Sequence, residues 1–313
     1  MESVSLDTLT FDHPAASRPA RFGAMLSLPM QAASPSSCMV ILTSSAGVQR
    51  HREHFYAQAL NEAGIAALIV DSFGGRGVRR TVADQTLVSA AQMEGDAFAA
   101  LAWLRSDPRI DPGRIGIMGV SKGGGASLAA AIAVRQKWRH GFPHLFDLHV
   151  AICPGATAQH RDPTTHGRPI FFMLAARDDY TPAPLAIEYA ERMRAAGNRA
   201  IKVKVYGGAH HGWESLGPVF DIKDAENWSC CRNYIEDDGR HFVVAAGRAM
   251  PEPEYQAWAR EHCVTRGARA GGGTENLRRR ATSDLIAFLQ DHGFGDAGAL
   301  VAKQTQAAPI RVD

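Results

Sequence analysis

Ser121 stands two residues after Gly119 and two before Gly123 in the stretch Arg114 to Leu128, which reads RIGIMGVSKGGGASL. A short apolar run ends at Met118 and a helical stretch rich in small residues begins just past the serine. G-x-S-x-G between a strand and a helix is the pattern of a nucleophile elbow. Such a turn holds its serine in strained backbone geometry, and the glycines two before and two after it relieve clashes between strand and helix. The hydroxyl then projects at a helix N-terminus, where backbone N–H groups favour developing negative charge. The chemistry this points to is attack on a carbonyl carbon.

A serine at its ordinary pKa is a weak nucleophile and needs a base, itself oriented by a carboxylate. Two later turns supply both. The apolar run Ile170 to Leu174 is followed by Arg177-Asp178-Asp179-Tyr180-Thr181-Pro182, and the run Ile201 to Tyr206 by Gly207-Gly208-Ala209-His210-His211-Gly212-Trp213. Serine, then acid, then histidine is a known chain order for this chemistry. The residues leave open which aspartate and which histidine act, since one aspartate would also serve as a cap for the helix starting near Pro182. Phe73, Tyr180 and Trp213 lie beside these segments and are read as walls of an apolar substrate pocket, with simple packing as the alternative.

These turns need a scaffold that brings strand ends together. Short apolar runs at Cys38–Thr43, Ala66–Val70, Ile115–Met118, His149–Cys153, Ile170–Leu174 and Ile201–Tyr206 alternate with helical stretches near 50–63, 88–105, 122–137 and 182–196. That rhythm predicts βαβ units, a mostly parallel twisted sheet with helices on both faces. The catalytic groups of such a sheet gather at the strands' C-terminal edge. Val4–Phe11 and Phe22–Leu28, separated by Pro14 and Pro19, predict an N-terminal antiparallel hairpin at the sheet edge. Lys202 and Lys204 alternate with apolar residues, which predicts a strand near an edge with one wet face. A last helix near 275–290 closes one α/β domain spanning 1–313, with a polar, turn-rich insertion at about 215–273; a second small domain is the alternative.

Composition narrows the class. Of 313 residues 45% are hydrophobic and 21% charged, and 34 basic against 32 acidic side chains leave a net charge of +2. A chain so balanced has no basic stripe for phosphate, so nucleic acid is excluded as a partner. No window approaches the roughly 18 apolar residues of a membrane span. The first ten residues lack a basic flank followed by an apolar run, which predicts a cytoplasmic location. The expected partner is a small-molecule ester or lactone, and a homodimer is compatible with the sequence.

With these motifs in hand the chain resembles the dienelactone hydrolase family of the α/β-hydrolase superfamily, over roughly Cys38 to Trp213 and the closing helix. The carrying elements are Gly119-Val120-Ser121-Lys122-Gly123, Asp178-Asp179-Tyr180-Thr181-Pro182 and Gly208-Ala209-His210-His211-Gly212-Trp213. The resemblance implies an α/β-hydrolase fold and selects the acid four residues before Pro182, Asp178, leaving Asp179 as the cap. It selects the histidine before a small residue and an aromatic, His211, ahead of His210. The oxyanion hole it implies uses the backbone N–H groups of Lys122 and of Ser45, with Ala46 next in line. Relatives also carry Asp-Ser-Phe and Arg-Gly where this chain has Asp71-Ser72-Phe73 and Arg76-Gly77; Arg76 is read either as a carboxylate-binding group or as one that orders its loop. The namesake enzymes use a cysteine nucleophile, so Ser121 places the chain with serine-bearing relatives. The expected activity is hydrolysis of a small or medium carboxylic ester or lactone through an acyl-enzyme, with no metal or organic cofactor. A peptidase or amidase of the same fold and a non-catalytic ligand-binding protein are the alternatives.

Other signals read as structural. His51 and His54 flank Glu53 without the H-E-x-x-H order of a zinc site, and Lys122 precedes its glycines where a phosphate loop has lysine after them. Cys231 and Cys263 are spaced to close a loop of about 30 residues. Some relatives of the family pair cysteines in a similar late insertion; such a disulfide here would imply a periplasmic or secreted protein whose leader has been removed. The sequon Asn227-Trp228-Ser229 has no weight without a secretory host.

Overall fold

The computed structural model describes residues 1–9, 19–30, 35–139 and 142–295. Along the chain run β1 (Glu2–Asp7), β2 (Arg21–Ser27), β3 (Ser36–Leu42), α1 (Phe55–Glu62), β4 (Ala66–Asp71), α2 (Ala90–Ser106), β5 (Ile110–Val120) and α3 (Lys122–Ala131). There follow β6 (His149–Ile152), β7 (Ala158–His160), β8 (Ile170–Ala175), α4 (Ala183–Ala195) and β9 (Ile201–Tyr206). Thr10, Phe11 and Pro14, the end of the predicted first strand and part of its turn, lie outside the described residues.

Eight strands form one sheet in the order β1-β2-β4-β3-β5-β6-β8-β9. β1 pairs antiparallel with β2, and β2 with β4, so the predicted hairpin sits at one edge; every other pairing is parallel. Side-chain alternation explains why these strands read as unbroken apolar runs. In β3, Met39 and Ile41 point into a core shared with Tyr56 and Leu60 of α1, while Cys38, Val40 and Leu42 point into the opposite core against Phe98 and Leu101 of α2. A strand buried on both faces needs apolar residues at every position. Truncating one such side chain, Ile41→Ala, is expected to cost about 2–5 kcal/mol.

β9 is the other edge, as its lysines predicted. Neither face is wet along its whole length: Lys202 and Val205 are exposed, Val203 and Lys204 half-buried. Lys202 Nζ lies 5.0 Å from the Phe171 ring centroid and Lys204 Nζ pairs with Asp284 at 2.6 Å. The aliphatic stems of the lysines cover apolar surface while their charged ends reach a partner.

The remaining elements are β10 (Val219–Asn227), β11 (Asn233–Ile235), β12 (His241–Val243), β13 (Arg248–Met250), α5 (Glu252–His262), β14 (Thr265–Gly271) and α6 (Glu275–Asp291). The polar stretch before the last helix is thus ordered. β10 and β14 pair antiparallel, and β11, β12 and β13 join β7 in a four-stranded sheet, β7 and β11 running parallel. Cys231, Val243, Met250, Tyr255 and Ala259 give it an apolar centre, and a Cys231–Cys263 disulfide closes it. No helix among the described residues is long and apolar enough to cross a membrane.

Candidate active site

β5 ends at Val120 and α3 begins at Lys122, leaving Ser121 alone to turn the chain, with φ 57° and ψ −115°. This is strained for a residue with a Cβ. The flanking glycines show what enforces it: a Cβ on Gly119 would lie 2.3 Å from the Gly123 carbonyl carbon, and one on Gly123 would lie 2.5 Å from Thr43 O. Strand, turn and helix therefore pack through bare main chain. The turn is pinned by Ser121 N–H donating to Ile152 O at 2.8 Å and Gly125 N–H to Ser121 O at 2.9 Å.

Past the end of β8, Asp178 Oδ1 accepts the Tyr180 and Thr181 amides at 2.9 and 2.8 Å. Its Oδ2 accepts His211 Nδ1 at 2.8 Å, and the Thr181 hydroxyl lies 2.9 Å from Oδ2 and 3.1 Å from Nδ1. Burial pushes the Asp178 carboxyl up, but the His211 imidazole and the two amides outweigh it and hold the group below the ordinary carboxylate value. An ionised acceptor at Nδ1 leaves the proton of a neutral imidazole on that nitrogen and Nε2 free to act as a base. The Tyr180 ring stands edge-on to the imidazole at 5.0 Å. Beneath them Cys153, at φ 43°, offers its thiol within 4.8 Å of both Asp178 and His211. Burial, then the charges of Asp178 and Glu214, push that thiol well up, so it is a neutral hydrogen-bond donor to Asp178.

The end of the insertion is bonded along the histidine loop. Gly271 N–H donates to His211 O at 2.9 Å, and Gly273, where a Cβ would lie 1.9 Å from Trp213 O, donates to Ser215 O at 3.1 Å. The glycine run that ends the insertion is the place where β14 lies directly on the His211 backbone.

Two cavities open on Ser121. One, of about 200 Å³, is lined by Ser45, Lys122, Thr181, Leu185 and, from the insertion, Glu226 and Trp228. The other, of about 330 Å³, is lined by His211, Ala46, Arg80, Phe220 and Ile222. Ser45 and Tyr180 border both.

The structure thus brings Ser121, Asp178, His211, Lys122, Ser45 and Tyr180 together, places Phe73 and Trp213 away from the predicted pocket, and gives Arg76 the loop-ordering one of its two readings. Phe73 is 1% exposed and packs in the core with Phe22 and Val70. Trp213 is fully buried against Tyr206, ring centroids 5.2 Å apart. Arg76 binds buried Asp96 through Nη1 and Nη2 at 2.7 and 2.9 Å and Ser72 O at 2.6 Å, so it ties its loop to α2 and lines neither cavity on Ser121. Asp179 is not the helix cap either: it accepts the Arg269 amide at 3.0 Å and Nε at 2.7 Å, joining the turn to β14.

Gln85 went unnoticed in the sequence because it sits in a loop without period. Its side chain accepts the Ser45 hydroxyl at 2.9 Å and donates to Tyr180 Oη at 2.8 Å; its carbonyl accepts Lys122 Nζ at 2.6 Å, and its amide donates to Glu226 at 2.7 Å. Glu226 in turn is held by Arg260 Nε at 2.8 Å. One residue thereby links both loops flanking Ser121 to the insertion.

The family model of the dienelactone hydrolase family matches residues 22–228, about two thirds of the chain. The chain belongs to the dienelactone hydrolase family. Its class of activity is carboxylic ester hydrolysis. The Ser121 elbow and the Asp178–His211 pair both fall within the matched span. Among solved structures, a putative dienelactone hydrolase from Klebsiella pneumoniae is similar at 19% identity and TM-score 0.51, over 68% of this chain and 89% of that one. Thermogutta terrifontis esterase 2, phosphonylated by cyclosarin, is similar at 15% identity and TM-score 0.56, over 88% and 90%. The same esterase with butyrate bound gives 14% identity and TM-score 0.55, over 88% and 91%. At these identities the likeness establishes the shared α/β-hydrolase fold. No curated protein matches the chain significantly.

Proposed function

We propose that this member of the family is a serine esterase that cleaves a small or medium carboxylic ester or lactone with Ser121 as nucleophile, His211 as general base and acid, and Asp178 as the group that orients His211. The observation that carries the reading is the 2.8 Å contact of His211 Nδ1 with an ionised, buried Asp178, with Ser121 in a strained turn on the same cavity as His211.

His211 Nε2 takes the hydroxyl proton as Ser121 Oγ bonds to the ester carbonyl carbon. The carbonyl oxygen becomes an oxyanion at the N-terminus of α3, met by the Lys122 amide and by the amide of Ser45. Ser45 is preferred to Ala46 because the Ala46 N–H is already committed to Ser44 Oγ at 3.1 Å. Collapse of the intermediate expels the alcohol, which receives the proton from His211. Water then attacks the acyl-enzyme with His211 again as base, and Ser121 recovers its proton.

The leaving alcohol must lie beside the imidazole that protonates it, which assigns the larger cavity, bordered by His211, to the alcohol. The smaller one, away from His211, then takes the acyl group. Both volumes suit a small substrate.

A fluorophosphonate probe, the chemistry carried by the phosphonylated Thermogutta esterase, tests the nucleophile. Labelling of folded wild type and none of Ser121→Ala is expected; equal labelling of both, or of neither, rejects the assignment. p-Nitrophenyl esters beside peptide anilides then separate esterase from amidase.

A further inference from the structure

The acyl cavity has a neighbour. Ala90, Gly125, Gly155 and Ala158 line the acyl cavity and also line a second cavity of about 230 Å³, and none of these four residues carries more than a methyl group. The boundary that the two cavities share is therefore lined by main chain and methyl groups. The far cavity is lined mostly by apolar residues such as Leu128 and Ile235, and Arg135, His160 and, from the insertion, His241 and Glu252 supply its ionisable groups.

The hydrogen bonds of its polar groups show what it can hold. Arg135 has its Nε and Nη2 on Glu94, and Nη1 lies 3.3 Å from His160 Nε2; Arg139 also faces Glu94, at 3.6 Å. His241 Nδ1 contacts Asn233 Oδ1 at 2.8 Å, and the Asn233 amide donates to Cys231 O and Tyr255 Oη. Glu252 is different. One of its oxygens accepts Gln256 Nε2 at 3.0 Å, and among the described residues no cation lies within ion-pair distance of it. Burial raises its carboxyl, and Lys122 in the acyl cavity and Arg135 in the far one act on it only at longer range. An acceptor without a cation calls for a donor. A carboxylate would meet Glu252 as a like charge and find the Arg135 fork already taken.

We propose that the far cavity is a terminal acyl subsite, and that the preferred substrates are esters whose acyl arm ends in a hydrogen-bond donor, a hydroxyl or an ammonium group, received by Glu252. This rests on the reading of Ser121 as nucleophile and of the His211 side as the alcohol side.

The test is kcat/KM for p-nitrophenyl acetate, hexanoate, ω-hydroxyhexanoate, ω-aminohexanoate and the adipate half-ester, on wild type, Ser121→Ala, Glu252→Gln and Ala90→Phe. Wild type should favour the hydroxy and amino arms over the adipate arm by about tenfold or more. Glu252→Gln should erase most of the amino-over-adipate ratio. Ala90→Phe, at an exposed position where bulk does not threaten the fold, should lower the hexanoate-to-acetate ratio about tenfold by filling the boundary that the two cavities share. Ser121-dependent acetate hydrolysis with an adipate preference, or with a ranking that Glu252→Gln leaves intact, overturns the subsite alone. Absence of Ser121-dependent acetate hydrolysis overturns the reading of the site, and the subsite with it.

Discussion

Asp178 and Asp179 are neighbours in sequence and turn their carboxylates to opposite tasks: Asp178 Oδ2 meets His211 Nδ1 at 2.8 Å, and Asp179 Oδ2 meets Arg269 Nε at 2.7 Å. The first pair is buried and the second is solvent-exposed. Asp178→Asn replaces an acceptor by a group that can hold the wrong imidazole tautomer, and kcat should fall by about 10⁴-fold. An exposed ion pair contributes about 0–1 kcal/mol, so Asp179→Asn should leave kcat within about threefold of wild type and cost little stability. Steady-state kinetics on both variants checks this, and a larger loss for Asp179→Asn would reject the assignment.

Gln85 bonds Ser45, Tyr180, Lys122 and Glu226 at once. If it sets the position of the Ser45 amide, its loss weakens a contact made mainly in the transition state. Gln85→Ala should then lower kcat and kcat/KM together by about 10- to 100-fold, with KM little changed. Gln85→Glu retains an acceptor for Ser45 and should recover part of the rate. A role confined to stability would lower the melting temperature and leave kcat per titrated Ser121 as it was.

The parallel strands were legible because burial on both faces leaves only apolar residues, and Ser121 because main chain packed on main chain admits only glycine at 119 and 123. The acid and histidine turns were legible as polar segments just past strand ends, and the family resemblance selected Asp178 and His211 within them. What escaped depends on partners remote in sequence. Arg269 decides the fate of Asp179 from 90 residues away, and Asp96 takes Arg76 out of the site from 20 away. Gln85 carries no motif, since all four of its bonds run to residues at least 37 positions distant. The insertion broke the βα rhythm because its strands are short or, in β10, exposed over most of their length, so periodicity could not reveal that it walls the acyl cavity.

Lys122 predicts a pH dependence of stability. Burial is the main cause that lowers its ammonium to about 7, with Asp84 and Glu226 acting against the shift. In the unfolded chain it titrates near 10.4. Between those values the unfolded state binds more protons than the folded one, so this group makes stability rise with pH from about 7 upward. Cys38 and Cys153, whose thiols burial pushes up, oppose the rise once unfolded thiols begin to ionise, above about pH 8. The clean reading is therefore the difference in urea midpoint between wild type and Lys122→Met at several values from pH 7 to about 9.5. Wild type should gain on the variant as pH rises; a constant difference would mean that Lys122 stays charged in the folded protein.

The Cys231–Cys263 disulfide closes a loop with a sequence separation of 32, and Cys231 lies in the apolar centre of the insertion with Tyr255 and Met250. Removing it frees the unfolded chain and should cost about 3 kcal/mol. The loss is local in its first effect, because the bond ties the segment carrying Trp228 and Ser229 to the end of α5, and those two residues wall the acyl cavity. Cys231→Ala/Cys263→Ala should therefore raise KM for bulky acyl groups and speed proteolysis within 215–273 before the main sheet unfolds. Reduction of the wild type should reproduce both effects, since it breaks the same bond without changing a side chain's size. Unchanged proteolysis and unchanged KM in the double variant would show that the insertion is held in place by Glu226, Asp179 and the β14 contacts with His211 alone.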